Sequence, residues 1–510
     1  MSIPTSTGPR AVLALAAAIS LALLAPASAR AGAYRAAVCN PSLGARHADA
    51  AYVRSSPRYE PRAACGTGGI GLAVTHEIGE TRTGGWGAWT IRAPRGTLIS
   101  RAGLSATGHM AGGNLPELLA RPVGHPLVRF ASPGFRTKRF SWSSSPARAL
   151  SARLRCRLAS GCPRGRRATI QVRRASLRLA DRVAPTLNAA GALFGTGSRR
   201  GLQTADLSGS DVGGGIRRLL IQVNGEPVAA HTVACRLAGS TAIRLSPCPQ
   251  TASASFAAAT ASPPFHQGPN RVSVCAADFA ATTAANQTCV RRRVRIDNLC
   301  PISHVAGARL RARFANGTRR LTLGPGRQAA VTGRLVSSAG QGVSGASVCI
   351  ATRVRMSGAT EQVVATPTTG RDGRFRVRLP NGASREVRVA HWASASSAIE
   401  RYLDLRVRSR PRLSVLPHHQ VHNGDRVRFA VSLPGPAHGA RRARIQARAG
   451  GRWLNLRTGR SSPAGVYRSR YRFHATTGRR TYRFRATVPK QRGYPYESGR
   501  SRVKRVTVTG

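Results

Sequence analysis

The chain has 510 residues, of which 41% are hydrophobic, so it can form several folded domains, and wholesale disorder is excluded. It carries 80 lysines and arginines against 18 aspartates and glutamates, a formal net charge of +62. A field of this sign attracts polyanions at long range, so anionic polymers are the expected partners.

Arginine supplies nearly all of the positive charge, because Lys138, Lys490 and Lys504 are the only lysines. A GC-rich genome explains arginine over lysine, but it does not explain the shortage of acids. Between residues 81 and 180 the only acid is Glu117. The composition therefore indicates a basic surface that has few countercharges of its own.

The N-terminus has the pattern of a secretory signal peptide. An apolar run at 11–25 follows Arg10, and Pro26-Ala27-Ser28-Ala29 resembles a cleavage site. The run is too short for a comfortable membrane span. We expect residues 1–29 to be a signal peptide, with no transmembrane segment after its cleavage.

The cysteine count fits an exported protein. Ten cysteines form an even set without C-x-x-C spacing, which favours disulfides over zinc or redox motifs. Pairing between nearest neighbours is one of many possible connectivities, and it would join Cys39 to Cys65, Cys156 to Cys162, Cys235 to Cys248, Cys275 to Cys289 and Cys300 to Cys349.

Period-two alternation recurs along the chain, and no long amphipathic helix is evident after residue 30. The sequence predicts an all-β protein made of tandem β-sandwich domains. We expect four domains, at 30–182, 183–298, 299–407 and 408–510.

The first domain carries a tryptophan-bearing strand in the segment TGGWGAWTIRAPRGTLI, 83–99, and a closing strand at 166–181 with a change of phase near Arg173 and Arg174. It resembles the concanavalin- or laminin-G-like jelly rolls of secreted bacterial proteins. Such a resemblance implies that tryptophans could stack on sugar rings, the candidates being Trp86, Trp89 and Trp142. Core packing is the preferred alternative for these side chains.

A glycan-active hydrolase is the enzymatic alternative for the first domain. Glycoside hydrolysis needs two carboxyl groups flanking the scissile bond. The acids of this region include Glu60, Glu77, Glu80 and Glu117, but the tryptophan strand at 86–99 contains none. The sequence therefore favours a domain without an enzymatic activity.

The second domain closes with PNRVSVCAADFA, 269–280, and TCVRRRVRIDN, 288–298. These strands resemble the last strands of bacterial Ig-like modules. The fourth domain, with VHNGDRVRFAVSLPGP at 421–436, also resembles secreted Ig-like domains. The whole chain resembles a modular secreted protein of actinobacterial type.

The third domain contains AAVTGRLVSSAGQGVSGASVCI, 329–350, and TTGRDGRFRVRLPNG, 368–382. It resembles the carboxypeptidase regulatory-like domain, a prealbumin-type sandwich that implies a non-catalytic module. The residues that match are Gly333, Gly342, Val343, Gly345, Ala346, Val348, Thr369, Gly373, Phe375, Leu379, Pro380 and Gly382.

The segment GVYRSRYRFHATTGRRTYRFRATVP, 465–489, alternates tyrosine and phenylalanine with arginine. The sequence predicts a hairpin through the turn 476–479, with its aromatic residues inside. Outside, neighbouring arginines would repel unless they are hydrated or bind an anion. The candidates for polyanion binding are Arg468, Arg470, Arg472, Arg483 and Arg485.

A local cluster of His418, His419, His422 and Asp425 could ligate a transition metal, but a solvated turn is favoured. No metal or cofactor is expected, and no specific nucleic-acid partner. We expect a secreted, non-catalytic surface or matrix protein whose basic exterior binds anionic cell-wall or extracellular polymers. The alternative is a carbohydrate-binding protein or glycan-active hydrolase with its site in 30–182.

Overall fold

The computed structural model describes residues 32–46, 49–66, 71–77, 79–121, 126–132, 134–143, 145–165, 167–280, 286–417, 420–435 and 440–510. The predicted signal peptide at 1–29 lies outside these residues. Within them the chain is all-β, as predicted, with 38 strands and two single-turn 3₁₀ helices, at Pro41–Leu43 and Ala192–Phe194. No helix in the described ranges combines the length and apolarity needed to span a bilayer.

The chain divides into two compact units. Unit 1 comprises residues 1–191, 204–256 and 272–292, and unit 2 comprises residues 192–203, 257–271 and 293–510. The boundary predicted between residues 182 and 183 therefore lies within unit 1, and the one between 407 and 408 lies within unit 2.

The first sandwich contains eleven strands, namely β1 (Gly32–Val38), β2 (Ala51–Arg54), β3 (Tyr59–Ala64), β4 (Gly71–His76), β5 (Trp86–Arg92), β6 (Thr97–His109), β7 (Asn114–Arg121), β8 (Pro126–Arg129), β9 (Arg136–Trp142), β10 (Ala149–Cys156) and β11 (Ala168–Asp181). One sheet has the order β1-β11-β4-β3, with β6 on β11 and β9 on β6, and the other has the order β2-β5-β10-β7-β8. The register of β11 against β6 shifts between Arg173 and Ser176, which confirms the change of phase seen in the sequence.

The second sandwich contains β12 (Thr186–Ala190), β13 (Ser198–Arg199), β14 (Leu202–Ser210), β15 (Ile216–Val223), β16 (Glu226–Thr232), β17 (Leu237–Ala238), β18 (Thr241–Ala242), β19 (Thr251–Ala259), β20 (Gly268–Asp278) and β21 (Gln287–Ile296). Within unit 1, the short β17–β18 hairpin leaves this sandwich and adds to the first, where Ala242 pairs with Ala36 of β1. The hairpin thus extends a sheet of the first sandwich, while the two main sheets of the second sandwich remain separate from it.

The third sandwich contains β22 (Arg309–Phe314), β23 (Arg320–Leu323), β24 (Ala330–Val336), β25 (Cys349–Val354), β26 (Gln362–Ala365), β27 (Arg374–Arg378), β28 (Arg385–Ser394) and β29 (Ser397–Val407). The fourth contains β30 (Arg412–Leu416), β31 (Val421–His422), β32 (Arg426–Ser432), β33 (Arg442–Ala449), β34 (Arg452–Arg460), β35 (Val466–Arg472), β36 (Arg479–Val488), β37 (Gly499–Arg500) and β38 (Lys504–Thr509).

The last three sandwiches share one topology. Their three-stranded sheets have the orders β12-β14-β19, β22-β24-β27 and β30-β32-β35, and their larger sheets have the orders β13-β21-β20-β15-β16, β23-β29-β28-β25-β26 and β31-β38-β36-β33-β34. In each larger sheet the short second strand runs parallel to the last strand. The sequence resemblances to two different families therefore correspond to one repeated sandwich.

The five disulfides follow the nearest-neighbour pairing, Cys39–Cys65, Cys156–Cys162, Cys235–Cys248, Cys275–Cys289 and Cys300–Cys349. A chain with this many disulfides belongs in an oxidising, extracytoplasmic environment. Each bridge also restricts the unfolded chain and contributes about 2–4 kcal/mol to stability.

Candidate functional site

The arginine-rich segment 465–489 does not form the predicted hairpin. Its two strands, β35 and β36, belong to different sheets, because β35 pairs with β32 whereas β36 pairs with β33 and β38. Phe473 and Phe484 are buried in the core between the sheets, as the alternation predicts. The prediction of pairing is wrong because alternation specifies which face a side chain takes, and not which strand lies beside it.

The partner strand β32 brings two further arginines to the face of β35. Arg428 pairs with Arg470, and Arg426 pairs with Arg472. All four are exposed, as is Arg468. We call these five residues, Arg426, Arg428, Arg468, Arg470 and Arg472, the arginine face. Arg426 and Arg428 are not among the candidates from the sequence, although the alternation Arg-Val-Arg-Phe at 426–429 indicates a strand with arginines on one face.

In the part of the chain that the structure describes, no carboxylate forms an ion pair with the arginine face. None of the ion pairs recorded among the described residues includes one of its five members. The Arg472 Nε donates a 2.7 Å hydrogen bond to the carbonyl oxygen of Gly424. Like charges directly opposite on antiparallel strands repel, so an anion bound across the pairs would lower the energy of this surface.

The third sandwich presents a similar surface on its three-stranded sheet. Arg334 of the central strand pairs with Arg311 on one side and Arg374 on the other, which places three exposed arginines in one row. Exposed arginines also stand at the alternate positions of the two outer strands, at Arg309, Arg313, Arg376 and Arg378. The corresponding sheet of two successive repeats thus carries the same chemistry.

The two candidates on β36 lie on the other sheet of the fourth sandwich. Arg483 is exposed and pairs with Arg505 of β38. Arg485 is half-buried: its Nε donates to Gln446 Oε1 at 2.8 Å, and its guanidinium lies 4.2 Å from the ring centre of Trp453. Burial also lowers the pKa of Arg485. Arg485 is therefore held by contacts within the sandwich, whereas the exposed side chain of Arg483 is accessible to a ligand.

The tryptophans proposed for glycan stacking face the interior to different extents. Trp142 is 5% exposed and offers no open ring face. Trp89 is half-buried, donates its Nε1 hydrogen to the Ala73 carbonyl oxygen at 2.8 Å and lines an apolar cavity of ≈ 20 Å³. A cavity of this size does not hold a sugar ring, so these two positions fit core packing. Trp86 is also half-buried.

The acids considered for hydrolysis include one buried side chain, Glu117, which is 2% exposed. Its carboxylate lies 2.7 Å from Arg153 Nη2 and 3.4 Å from Arg129 Nε. This is a structural ion pair across β7 and its neighbours. Glu60 and Glu77 are half-buried.

The histidine cluster of the fourth sandwich is only partly described, because His418 and His419 lie outside the described residues. His422 and Asp425 are both exposed, and their ring nitrogen and carboxylate oxygen are 3.9 Å apart. The Asp425 carboxylate accepts a 2.7 Å hydrogen bond from the His422 backbone N–H. This contact is that of a solvated turn.

Unit 2 contains a buried charge network around Arg388, whose side chain is 1% exposed. Its guanidinium contacts three carboxylates, those of Asp297 at 2.8 Å, Glu361 at 2.7 Å and Glu400 at 3.1 Å. The Trp392 Nε1 donates a 2.6 Å hydrogen bond to Asp297. Burial alone would raise the pKa of Asp297, but the guanidinium and the indole N–H hold it below its usual range.

Unit 1 contains a second buried cluster that consists of acids alone. Asp181 ends β11, Asp211 follows β14, and Asp278 ends β20. They are 0%, 5% and 0% exposed, and one carboxylate oxygen of each lies within 4.8 Å of those of the other two. Sequence reasoning missed this cluster because the three acids are far apart in the chain and follow no known spacing motif.

The like charges of this cluster disturb its titration. Burial, and then repulsion from Asp181 and Asp211, raise the pKa of Asp278 to about 7, against the opposing effect of a hydrogen bond from Asn286. Burial and the nearby Asp211 also raise the pKa of Asp181. Both shifts favour the neutral form of the Asp181 and Asp278 carboxyl groups in the folded chain.

Comparison with known proteins assigns the chain to no family. No family model and no curated protein sequence matches it. Among solved structures, the tetra-tandem repeat from the extending region of a large adhesion protein is 11% identical, with 84% of this chain and 96% of that chain covered and a TM-score of 0.23. Salmonella alpha-2-macroglobulin reacted with methylamine is 10% identical, with 86% and 31% covered and a TM-score of 0.20. The FN1–FN3 domains of chicken CNTN1 are 12% identical, with 64% and 99% covered and a TM-score of 0.14. Scores this low establish no shared function.

Proposed function

We propose that the protein is a secreted, non-catalytic surface or matrix protein whose sandwiches act as spacers and binding modules for anionic polymers of the cell wall or extracellular matrix. The observation that carries this function is the arginine face, where guanidinium groups stand opposite one another on adjacent strands. Arginine grips carboxylate and phosphate groups through paired hydrogen bonds, and it keeps its charge at any physiological pH.

The repetition of this chemistry supports a polymer as the ligand. The row of Arg311, Arg334 and Arg374 occupies the corresponding sheet of the preceding repeat. A polyanion presents charges at regular intervals along its length, so one polymer molecule can bind both arginine surfaces. Binding at the first surface raises the effective concentration of the polymer at the second, and a small anion gains no such advantage. A small anionic ligand would need one enclosed pocket instead.

Heparin affinity chromatography of the full chain tests the proposal, because heparin is a soluble anionic polysaccharide. We expect the wild type to elute only at high salt, since counterions released on binding make the affinity strongly salt-dependent. Replacing the five residues of the arginine face with glutamine should lower the salt concentration at elution. Elution of the wild type at very low salt would contradict the proposed function.

A charge-matched variant separates the arginine face from net charge. Five exposed arginines of unit 1 on different elements, changed to glutamine, remove the same total charge; these are Arg62, Arg121, Arg164, Arg182 and Arg236. We expect this dispersed variant to elute close to the wild type. Equal shifts of the two variants would show that net charge alone governs binding and would refute the arginine face as the site.

A further inference from the structure

We propose that Asp181, Asp211 and Asp278 form a binding site for a hard divalent cation, Ca²⁺, inside unit 1. No metal ligation was expected from the sequence, and the proposal is independent of polyanion binding. The three side chains are the one group among the described residues whose carboxylate, thiol or imidazole ligand atoms converge in this way. Two oxygens bound to the same Ca²⁺, at about 2.4 Å each, can be at most about 4.8 Å apart. The observed spacing meets this limit.

An unpartnered buried oxygen points to a missing ligand. The Asp211 Oδ2 accepts hydrogen bonds from the Gly213 and Gly215 backbone N–H groups, at 3.0 Å and 2.8 Å. The other oxygen, Oδ1, is buried and has no hydrogen-bond partner. Leaving a buried carboxylate oxygen unsatisfied is costly, and a cation coordinated by Oδ1 removes that cost.

The other two carboxylates are held in place by donors that leave lone pairs free. Backbone N–H groups of Val183 and Gly214 donate to the two oxygens of Asp181, both at 3.1 Å. The Ala280 N–H and the Asn286 side-chain amide donate to the two oxygens of Asp278, both at 2.8 Å. These bonds fix the orientation of the carboxylates, as the outer-shell partners of metal ligands do.

The glycines of the loop that follows Asp211 let its backbone pack closely against neighbouring groups. A Cβ atom on Gly213 would lie 2.0 Å from Asp181 Oδ2, and one on Gly215 would lie 2.2 Å from the carbonyl oxygen of Cys248. Gly215 also has a φ of 83°, in the left-handed region. The segment Asp-Val-Gly-Gly-Gly at 211–215 therefore lets the backbone come against a second carboxylate, which a loop serving only as a turn does not require.

A comparison inside the chain identifies what the cluster lacks. Asp181 ends β11 and Asp297 directly follows β21, each the last strand of its sandwich, and each is followed four residues later by a proline, Pro185 or Pro301. Both accept a hydrogen bond from the backbone N–H two residues on. Asp297 meets the guanidinium of Arg388 at 2.8 Å, whereas the ion pairs of the described residues include none with Asp181, whose neighbours in this cluster are carboxylates. The carboxylate of Asp297 is thus neutralised by an arginine of the chain itself, whereas the cluster that contains Asp181 needs a cation from solution.

The donor set selects the class of cation. It offers carboxylate oxygens without imidazole or thiolate ligands, which suits Ca²⁺ or Mg²⁺ rather than zinc or copper. Ca²⁺ tolerates irregular geometry and binds extracellular modules with dissociation constants of roughly 10⁻⁴–10⁻³ M. Such an affinity matches an exported protein.

Binding of Ca²⁺ to the full chain, stripped of metal by a chelator at neutral pH, tests the proposal. Isothermal titration calorimetry should show one Ca²⁺ per chain, and Ca²⁺ should raise the temperature of thermal unfolding because it binds the folded state alone. Asp211→Asn should weaken binding at least tenfold and abolish the thermal shift. The control Asp206→Asn removes an exposed acid of the same sandwich and should leave both unchanged.

The stability of Asp211→Asn in the absence of metal shows whether a loss of binding reflects misfolding. Since Asp211→Asn relieves repulsion in the metal-free cluster, its unfolding temperature in chelator should equal or exceed that of the wild type. Absence of stoichiometric Ca²⁺ or Mg²⁺ binding by the wild type at millimolar concentration would overturn the site. Undiminished Ca²⁺ binding by Asp211→Asn would overturn it as well, whereas a preference for Mg²⁺ would overturn only the choice of Ca²⁺.

Discussion

Replacing Arg388 with methionine should lower the free energy of unfolding of unit 2 by about 3–5 kcal/mol at neutral pH. The wild-type guanidinium is 1% exposed and lies between Asp297, Glu361 and Glu400. Without it, Asp297 and Glu400 lose their ion-pair partner and only Glu361 keeps one, Arg295, so buried charge is left uncompensated in a region of low dielectric. Urea unfolding followed by tryptophan fluorescence measures the loss, because Trp392 is buried against Asp297.

The matched control for Arg388 is Arg374→Met. Arg374 pairs with Asp372 at 3.2 Å, but the two side chains are 75% and 54% exposed. Exposed pairs contribute little, so this change should stay within about 0.5 kcal/mol of the wild type. A loss of less than about 1 kcal/mol for Arg388→Met would mean that water reaches the carboxylates and that the network is not a closed one.

Acid pH should narrow the difference between Arg388→Met and the wild type. In the wild type the pKa of Asp297 is lowered, so its contribution to stability is present above the unfolded-state pKa and is lost as pH falls through the folded-state pKa. In the variant Glu361 keeps its ion pair with Arg295, but Asp297 and Glu400 lose their ion-pair partner, and protonation relieves the repulsion among the three carboxylates. The free-energy gap measured near pH 4 should therefore be smaller than that at pH 7.

The distribution of acids explains how so basic a chain folds into stacked modules. Eight of the 18 acids lie where successive sandwiches meet within a unit, at Asp181, Asp211 and Asp278 in unit 1 and at Asp297, Glu361, Glu386, Glu400 and Glu497 in unit 2. Glu497, for example, lies 3.0 Å from Lys490 and 3.8 Å from Arg406 at the end of the third sandwich. Buried acids are thus frequent where sandwiches meet, whereas arginine is the commonest charged residue on the exterior.

Local patterns in the sequence predict which segments form strands and which side chains are buried. They do not predict which strands pair, because pairing depends on residues far apart in the chain. The alternation at 465–489 correctly buries Phe473 and Phe484, but it cannot show that Arg470 faces Arg428, since that pairing depends on the topology of the sandwich. Disulfide pairing between neighbours is the arrangement with the shortest loops, and the structure has it. Short closed loops leave less freedom for alternatives than distant strands do.

The candidate sites show the same limit. Asp181 and Asp278 come together because two strand ends from different sandwiches meet, and neither lies in a motif with metal-ligand spacing. Asp-Val-Gly-Gly-Gly at 211–215 reads as a turn until the position of Asp181 is known. The shared topology of the last three sandwiches was likewise hidden, because each fills its interior with different residues at equivalent strands.

Unit 1 in metal-free buffer should lose stability as the pH is raised from about 5 to about 8. The pKa of Asp278 is about 7 in the folded chain, above its ordinary value of 3.8. Within this range the folded state therefore keeps, up to about pH 7, a proton that the unfolded state has already released. The stabilisation is complete below the unfolded-state pKa and disappears as pH rises through the folded-state pKa, and about 3 kcal/mol of it is lost between about pH 5 and pH 8.

Other groups titrate in the same window, and a variant isolates the contribution of Asp278. Tyr34 lies near the cluster, but burial, followed by the charges of the three acids, raises the pKa of Tyr34 far above this range. Burial lowers the pKa of His76 elsewhere in the unit, which makes stability rise with pH up to about its ordinary pKa of 6.5. The comparison must therefore be between wild type and Asp278→Asn, which retains His76.

We expect the free energy of unfolding of metal-free Asp278→Asn to fall less steeply than that of the wild type between about pH 5 and pH 8, as measured by urea unfolding at each pH. Millimolar Ca²⁺ should restore the wild type above pH 7, because the cation binds the ionised carboxylates that repel one another without it. It should have little effect at pH 5, where a proton occupies the cluster. Parallel pH profiles for the two proteins would show that the three carboxylates do not repel in the folded state, and the electrostatic basis of the metal site would then be lost.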